Sequence, residues 1–247
     1  MKRLLLIFLL LLISSSLGQI RAEDREITII WLGHACYLIT TSDSTQIMID
    51  PAEFKGYHMP KGLEPDIVTI SHNHIDHNRV NMLEGNPVLL YGCSPDNQTV
   101  NTIDTIIKDI KIKSVLSYHD PGKHGINAIF VIEFDSIRIV HLGDLGTTLT
   151  KTQIKDIGEV DILMIPVGGQ FTIAGAEADS VINQLNVQRM ILPMHYKTEA
   201  FDDLPYAADD FLKGKENVIR ISNNRLTIKL DQFPGKKEYV IMQYNSE

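Results

Sequence analysis

The sequence predicts a single α/β domain organised as a layered sandwich, with sheets inside and helices outside. Short apolar runs of strand length alternate with amphipathic, helix-like segments along most of the chain. No low-complexity linker or internal repeat divides it. With 247 residues, 44% of them hydrophobic, the chain is long enough to bury one large core.

The first half is dominated by predicted strands. Three closely spaced apolar runs, Ile27–Trp31, Tyr37–Thr40 and Ile47–Ile49, predict an antiparallel meander. We also expect a helix over Val100–Lys108. Further strands are predicted at Ile67–Ile70, Val88–Tyr91, Lys113–Tyr118, Ala128–Phe134 and Ile137–His141.

The second half mixes helices and strands more evenly. Apolar periodicity predicts helices over Thr150–Ile157 and Ala174–Leu185. Strands are predicted at Ile162–Ile165 and Met190–Leu192, each followed by a proline. We expect two last strands, Val218–Ile221 and Leu226–Leu230, to pair around the Asn223-Asn224 turn.

The N-terminus has the pattern of a secretory signal peptide. Lys2 and Arg3 precede the apolar run Leu4–Ile13, and small residues follow. We therefore expect a signal peptide over residues 1–22, cleaved after Gly18 or Ala22, and a mature domain over 23–247. Such a protein is exported to the periplasm or the extracellular space. A retained membrane anchor is the alternative, although a helical span needs about 20 apolar residues; no stable span is expected after cleavage.

Charge and cysteine content restrict the partners and the chemistry. A formal charge of −8 disfavours nucleic acid as a partner, because phosphate binding requires clustered Lys and Arg. Cys36 and Cys93 are either separate thiols or a disulfide, which would need Cα atoms within about 7 Å. Neither lies in a metal-binding or nucleophile spacing.

One short segment concentrates metal-ligand side chains. His72, His74, Asp76 and His77 lie within six positions, directly after the predicted strand Ile67–Ile70. His72 and His74 alternate, so both can point the same way from extended backbone, while the other two follow a turn. Imidazole and carboxylate ligands suit zinc, and also manganese or iron. The segment therefore predicts metal binding.

The pattern H-x-H-x-D-H after a strand resembles the signature of the metallo-β-lactamase superfamily. Four further segments match this superfamily in order: Trp31-Leu32-Gly33-His34-Ala35 with Asp50-Pro51, His141-Leu142-Gly143-Asp144-Leu145-Gly146, Pro166-Val167-Gly168-Gly169, and Pro193-Met194-His195-Tyr196. They are similar to its lactonase-like and phospholipase-D-like branch, and the resemblance extends from about Ile27 to about Thr198. It implies a four-layer αββα sandwich.

The resemblance also implies a two-metal site. His72 and His74 match ligands of the first ion, Asp76 and His77 match ligands of the second, and Asp144 matches the bridging carboxylate. His195 is implied for the second ion and His119 for the first, with His124 and His141 as rivals of His119. Apart from the resemblance, His34 either supports a ligand from behind or is only a turn residue, and Asp50 either supports a histidine or caps a strand. We expect His141 to pack behind the site.

The implied activity is hydrolysis by a hydroxide that bridges two divalent ions, with Zn²⁺ expected and Mn²⁺ or Fe²⁺ as alternatives. Asp144 would position both ions, and Asp76 would also take a proton from the attacking water. We expect a small-molecule ester, lactone or amide as substrate. The alternatives are a phosphodiesterase and a non-catalytic metal-binding protein. A homo-oligomer is compatible with the resemblance, and no serine-nucleophile motif is present.

Overall fold

The structure is a computed structural model that describes residues 25–122 and 125–244. The proposed signal peptide lies outside these residues. Eight strands come first in the described chain: β1 (Glu26–Trp31), β2 (Tyr37–Thr40), β3 (Gln46–Ile49), β4 (Ile67–Ile70), β5 (Val88–Tyr91), β6 (Asp104–Ile107), β7 (Ile110–Tyr118) and β8 (Ile126–Phe134). The remaining elements are β9 (Ile137–His141), α1 (Lys151–Ile157), β10 (Ile162–Pro166), α2 (Gly175–Gln184), β11 (Met190–Met194), α3 (Ala208–Leu212), β12 (Val218–Ile221), β13 (Arg225–Lys229) and β14 (Glu238–Met242).

The strands form two sheets. The first has the order β13-β1-β2-β3-β4-β5, and the second has the order β12-β14-β11-β10-β9-β8-β7-β6. The antiparallel meander predicted for β1, β2 and β3 is confirmed, and β3, β4 and β5 are parallel. In the second sheet β7, β9 and β11 run in the same direction. Each sheet therefore collects the carboxyl ends of several strands at one edge.

The core lies mainly between the two sheets. In β1, Ile27, Ile29 and Trp31 are buried, while the alternate residues are partly or fully exposed. All residues of β10 and β11 are buried, as expected for parallel strands covered on both faces. One large cluster contains buried side chains from both sheets. This arrangement accounts for the unbroken apolar runs at the centre of the second sheet.

The two predicted helices are confirmed within a residue of their expected bounds. α1 begins at a capping box, in which Thr150 and Gln153 satisfy each other's backbone N–H groups, and Gly158 ends it with φ 74°. α2 contributes Ala178, Val181 and Ile182 to the main core cluster. The outer face of the first sheet is covered differently, because loop residues and the short 3₁₀ helix Val80–Met82 pack there in place of an α-helix.

The helix predicted over Val100–Lys108 is wrong. This segment contains the edge strand β6, which pairs with β7 across a two-residue turn. Thr102, Ile103 and Thr105–Ile107 are β-branched and favour extended backbone. Lys108 and Asp109 both have positive φ values, 48° and 62°, as a tight type I′ hairpin turn requires.

The predicted pairing of Val218–Ile221 with Leu226–Leu230 is also wrong. β12 pairs with β14 in the second sheet, whereas β13 pairs with β1 in the first. Asn223 and Asn224 carry the chain from one sheet to the other, and their carbonyls accept hydrogen bonds from Gln243 N and Trp31 N. These contacts stabilise a crossing point, which a turn dipeptide alone cannot distinguish from a hairpin.

Two further observations concern cysteines and membrane spans. Cys36 and Cys93 are buried, free thiols. Cys36 Sγ lies 3.8 Å from Met48 Sδ, and Cys93 Sγ lies 3.2 Å from the Ser71 carbonyl oxygen. Within residues 25–122 and 125–244, no helix is both long and apolar enough to cross a membrane.

Candidate metal centre

The residues predicted to bind metal lie in loops that leave the carboxyl ends of strands. The segment His72–His77 follows β4, and His119 follows β7. Asp144 lies three residues beyond β9, and His195 directly follows β11. Because β7, β9 and β11 run in the same direction, their loops meet at one edge of the second sheet, where the loop after β4 joins them. The structure therefore brings together residues that are more than 120 positions apart in the chain.

Three residues of this region adopt backbone conformations that L-amino acids rarely use. The φ values of His34, Asp50 and His195 are 52°, 45° and 48°. Such conformations cost free energy and persist where surrounding contacts enforce them, often at functional sites. One of these contacts joins two of the residues, because His195 N donates a 3.1 Å hydrogen bond to the His34 carbonyl.

The first cluster consists of His72, His74 and His119. Each offers a potential ligand atom, and the three atoms lie within 4.8 Å of one another. His72 Nε2 is 3.0 Å from His74 Nδ1. The ring centroids of His72 and His119 are 4.3 Å apart. His74 is exposed and His119 partly exposed, so this cluster faces solvent.

The second cluster consists of His34, His77 and His195 and is fully buried. The rings of His34 and His195 have centroids 4.0 Å apart. Asp76 lies at the rim of this cluster, with its Oδ2 3.2 Å from His34 Nε2. The sequence placed His34 behind the ligands, whereas the structure places it in the second cluster beside His77 and His195.

Asp144 lies between the two clusters. Its Oδ1 is 3.3 Å from His77 Nε2, and its Oδ2 is 3.2 Å from His195 Nε2. The same Oδ2 is 3.8 Å from His119 Nδ1 of the first cluster. A single buried carboxylate therefore faces histidines of both clusters, which is the position that a ligand shared by two ions must occupy.

Asp50 and Ser71 hold the histidines from behind. Asp50 Oδ2 accepts hydrogen bonds from Ser71 Oγ at 2.6 Å and from His77 Nδ1 at 2.8 Å. Because the Ser71 hydroxyl donates its proton to Asp50, it accepts from His72 Nδ1 at 2.9 Å. Both histidines thus carry a proton on Nδ1, so Nε2 is the nitrogen that can bind a metal.

His141 uses both ring nitrogens outside the two clusters. Its Nε2 donates to the Ala35 carbonyl at 2.9 Å, and its Nδ1 accepts from Gly143 N at 3.1 Å. It therefore has no nitrogen available for an ion and packs behind the site. His124, the other rival of His119, lies outside the described residues.

Asn127 is a buried support that the sequence analysis missed. Its Oδ1 accepts a hydrogen bond from Asp144 N at 3.0 Å, and its Nδ2 donates to Ser117 Oγ and the Leu142 carbonyl. It thereby joins the loop that carries Asp144 to β7, two residues before His119. The signal in the sequence is an amide residue near the start of the apolar strand β8.

Burial and mutual repulsion lower the pKa of three of the clustered histidines, His34, His72 and His119. Burial, assisted by His195, lowers the pKa of His34 to about 4, and burial lowers the pKa of His72 well below its usual range. Burial alone would raise the pKa of Asp144, but His195 and His77 outweigh it and hold that pKa well below normal. Neutral imidazoles and an ionised carboxylate are the forms that bind a metal.

His77 differs from its neighbours in the metal-free chain. Burial would lower its pKa, but Asp144 and Asp50 raise it well above the usual value for histidine. The ring therefore holds a second proton between two carboxylates. A metal ion at His77 Nε2 must displace that proton, so metal binding at this cluster releases protons.

Several buried polar atoms of the site have no hydrogen-bond partner within the described protein. They are both ring nitrogens of His34, His77 Nε2, His119 Nε2, Asp144 Oδ1 and His195 Nδ1. Each unpaired buried polar group costs about 1–3 kcal/mol. Their concentration around one carboxylate fits divalent cations, for which imidazole nitrogen and carboxylate oxygen are suitable ligands. The residues present thus fit a metal centre.

Comparisons with known proteins agree with this geometry. A family model described as a beta-lactamase superfamily domain matches residues 28–195. A UPF0173 metal-dependent hydrolase of Methanoculleus marisnigri is 30% identical over 218 residues, which cover 80% of this chain and 91% of that protein. A second such hydrolase, from Thermococcus onnurineus, is 31% identical over 201 residues, covering 72% of this chain and 87% of that protein.

A solved structure supports the same conclusion. A Thermotoga maritima protein, assigned to the Zn-dependent hydrolases of the metallo-β-lactamase superfamily, is 34% identical with a TM-score of 0.71. The match covers 87% of this chain and 98% of the Thermotoga protein. The α/β sandwich predicted from the sequence is thereby confirmed, and the chain belongs to the metallo-β-lactamase superfamily of metal-dependent hydrolases.

Proposed function

We propose that this hydrolase uses two divalent ions to cleave a small-molecule ester, lactone or amide. The observation that carries the proposal is the position of Asp144, whose two carboxylate oxygens face histidines of both clusters at 3.2–3.8 Å. One ion would be held by His72, His74, His119 and Asp144, and the other by Asp76, His77, Asp144 and His195. Ligand atoms of His72, His74 and His119 lie within 4.8 Å of one another, and His77 and His195 each lie 3.2–3.3 Å from Asp144.

Two bound ions would activate a water for attack near neutral pH and would polarise the substrate carbonyl. Asp144 keeps the two ligand sets together. Asp76 is only partly buried and can receive a proton from the attacking water. Asp50 and Ser71 hold the Nδ1 protons of His77 and His72, so Nε2 is the nitrogen of each ring that would bind an ion. A metal-binding protein without catalysis would need no such solvent-facing first cluster.

The surroundings of the open cluster favour an uncharged substrate. Ile75, between two of the proposed ligands, has 57% of its surface exposed. Phe171 is equally exposed, and its backbone carbonyl faces His119. Apolar side chains beside a solvent-facing metal site suit the hydrocarbon part of an ester, lactone or amide. The phosphodiester alternative has no such observation in its favour and is an outcome of the test below.

The test compares hydrolysis of a small chromogenic ester, a lactone and a chromogenic phosphodiester by residues 23–247. The protein is loaded in turn with Zn²⁺, Mn²⁺ or Fe²⁺, and a chelator-treated sample accompanies each measurement. We expect chelator-sensitive turnover of the ester or lactone, and at least a hundredfold loss, about 2.7 kcal/mol of barrier, in Asp144→Asn. The matched control is Asp161→Asn, which removes a carboxylate that accepts from Arg138 N away from the site.

Each other outcome has a defined meaning. Turnover of the phosphodiester alone would refute the proposed substrate class and identify the protein as a phosphodiesterase. Two bound ions without turnover of any substrate would favour the non-catalytic alternative. Full activity in Asp144→Asn would refute the two-ion mechanism.

A further inference from the structure

His34 is the one histidine of the second cluster that the proposed function does not assign as a metal ligand. It lies in the turn between β1 and β2, far in sequence from the other potential ligands, and only 1% of it is exposed. Both of its ring nitrogens are buried without a hydrogen-bond partner. A neutral imidazole has one donor and one acceptor nitrogen, so this burial leaves two groups unsatisfied.

We propose that His34 is a direct ligand of the second metal ion, in addition to Asp76, His77, Asp144 and His195. The proposal rests on the two-ion site described under the proposed function. A ligand atom of His34 lies within 4.8 Å of ligand atoms of His77 and His195, a spacing that one ion can span. Its Nε2 is 3.2 Å from Asp76 Oδ2, so the ring also faces the carboxylate assigned to that ion.

The backbone of His34 is held from several directions. Its carbonyl accepts hydrogen bonds from Trp31 Nε1 and His195 N, both at 3.1 Å. These contacts maintain the left-handed φ of 52° and fix the ring between its neighbours. The bond from His195 also couples the turn directly to another ligand of the same ion. A side chain positioned this firmly, with both nitrogens unpaired, matches a metal ligand better than a packing residue.

The alternative role for His34 is orientation of Asp76 from behind. A histidine in that role donates one N–H to the ligand, and its other buried nitrogen then needs a hydrogen-bond partner elsewhere in the protein. His141 shows this pattern, with both nitrogens hydrogen-bonded to backbone. His34 does not, because its Nδ1 is buried without a partner among the described residues and only its Nε2 faces Asp76, at 3.2 Å.

The consequence is a difference between the two sites. The first would have three imidazoles and one carboxylate, a set that suits four-coordinate Zn²⁺. The second would have three imidazoles and two carboxylates, and five protein ligands suit ions that accept five or six donors, such as Mn²⁺, Fe²⁺ or Co²⁺. The two positions would therefore differ in metal preference.

The test uses Co²⁺ as the only metal, with the substitution His34→Asn. Asparagine is chosen because it tolerates positive φ, so the turn is retained without strain. Isothermal titration with Co²⁺ should show two sites in the wild type. In His34→Asn we expect the first site unchanged and the second weakened at least tenfold, since loss of even an outer partner of a ligand costs roughly ten- to hundredfold.

A proton NMR spectrum of the Co²⁺-loaded protein identifies direct ligands, because bound imidazoles give strongly shifted resonances. One set of shifted imidazole signals should disappear in His34→Asn. The matched control, His58→Asn, removes an exposed histidine paired with Glu53 and should change neither measurement. The unchanged first site in His34→Asn reports that the variant is folded.

Each contrary result identifies what has failed. Weaker second-site binding with every shifted imidazole signal retained would place His34 behind Asp76 and overturn the proposal. Two unchanged sites in His34→Asn would also overturn it, while the two-ion mechanism remained. A wild type that binds fewer than two Co²⁺ ions would instead refute the proposed function.

Discussion

The substitution Asp50→Asn tests how the protein sets the protonation of its metal ligands. Asp50 is completely buried, and its two oxygens accept hydrogen bonds from Ser71 N, Ser71 Oγ and His77 Nδ1 at 2.6–2.8 Å. An amide has the same shape but only one acceptor oxygen. The rigid backbone N–H of Ser71 keeps that oxygen, so the new NH₂ group faces His77 Nδ1.

His77 then loses the acceptor for its Nδ1 proton and one of the two carboxylates that favour the doubly protonated ring. In the metal-free variant the proton can move to Nε2, which lies 3.3 Å from Asp144 Oδ1 and has an acceptor there. To bind an ion, His77 must return the proton to Nδ1, where it faces a donor. The lost hydrogen bond to a charged group is worth about 1.5–3 kcal/mol. Because 1.4 kcal/mol is a factor of ten, we expect roughly ten- to hundredfold weaker binding of the second ion.

The measurement is a metal titration beside thermal unfolding of the metal-free protein. Binding of the second ion should weaken while the melting temperature of the metal-free protein changes by only a few degrees. The matched control is Asp66→Asn at the opposite end of β4, where the carboxylate accepts from Gln46 N and pairs with Lys108. A surface pair of this kind contributes about 1 kcal/mol or less. Wild-type metal affinity in Asp50→Asn would refute the tautomer argument.

Four further predictions follow from the same structure. Gly146→Ala would place a Cβ 1.5 Å from the His119 carbonyl oxygen, so we expect displacement of that loop and weaker binding of the first ion, whereas Gly235→Ala meets no atom within 4 Å and should bind normally. A titration in which Gly146→Ala and Gly235→Ala bind the first ion with equal affinity would contradict this prediction. Burial raises the pKa of Cys36 and of Cys93 to about 12, so a thiol reagent should label neither until the protein unfolds, and a reductant should not change the melting temperature. Saturating metal, at about a hundred times its Kd, should stabilise the fold by about 2.7 kcal/mol and raise the melting temperature by about 5–10 °C relative to chelated protein; an unchanged melting temperature would count against metal binding by the folded state. Expression of the full chain in a bacterial host should yield exported protein that begins after Gly18 or Ala22, and a cytoplasmic protein that retains Lys2 would contradict the proposed signal peptide.

Local sequence patterns predicted the sandwich well, because strand length, alternation and helix caps depend on neighbouring residues. The meander of β1, β2 and β3 and the capped helix α1 are examples. The errors occurred where tertiary contacts decide. Helix-like spacing over Val100–Lys108 was outweighed by β-branched residues that complete a sheet edge. Asn223 and Asn224 form a crossing between sheets, which depends on where both flanking strands find partners.

The candidate site shows the same division. His72, His74, Asp76 and His77 could be found because they are adjacent in the chain and follow a strand. The place of His34 depends on a hydrogen bond to His195, which is 161 positions away, and no local pattern contains that information. The contribution of Asn127 likewise depends on three partners from two other segments, β7 and the loop after β9. An amide residue near the start of an apolar strand was the available sign of a buried network.

The central claim is that two ions share Asp144, and anomalous diffraction from crystals of the metal-loaded protein tests it most directly. Data collected on either side of the metal absorption edge should give two peaks about 3.5–4 Å apart. One peak should lie among His72, His74 and His119, and the other beside His77 and His195, with Asp144 between them. A single peak at full metal saturation, or two peaks of which one does not contact Asp144, would contradict the claim.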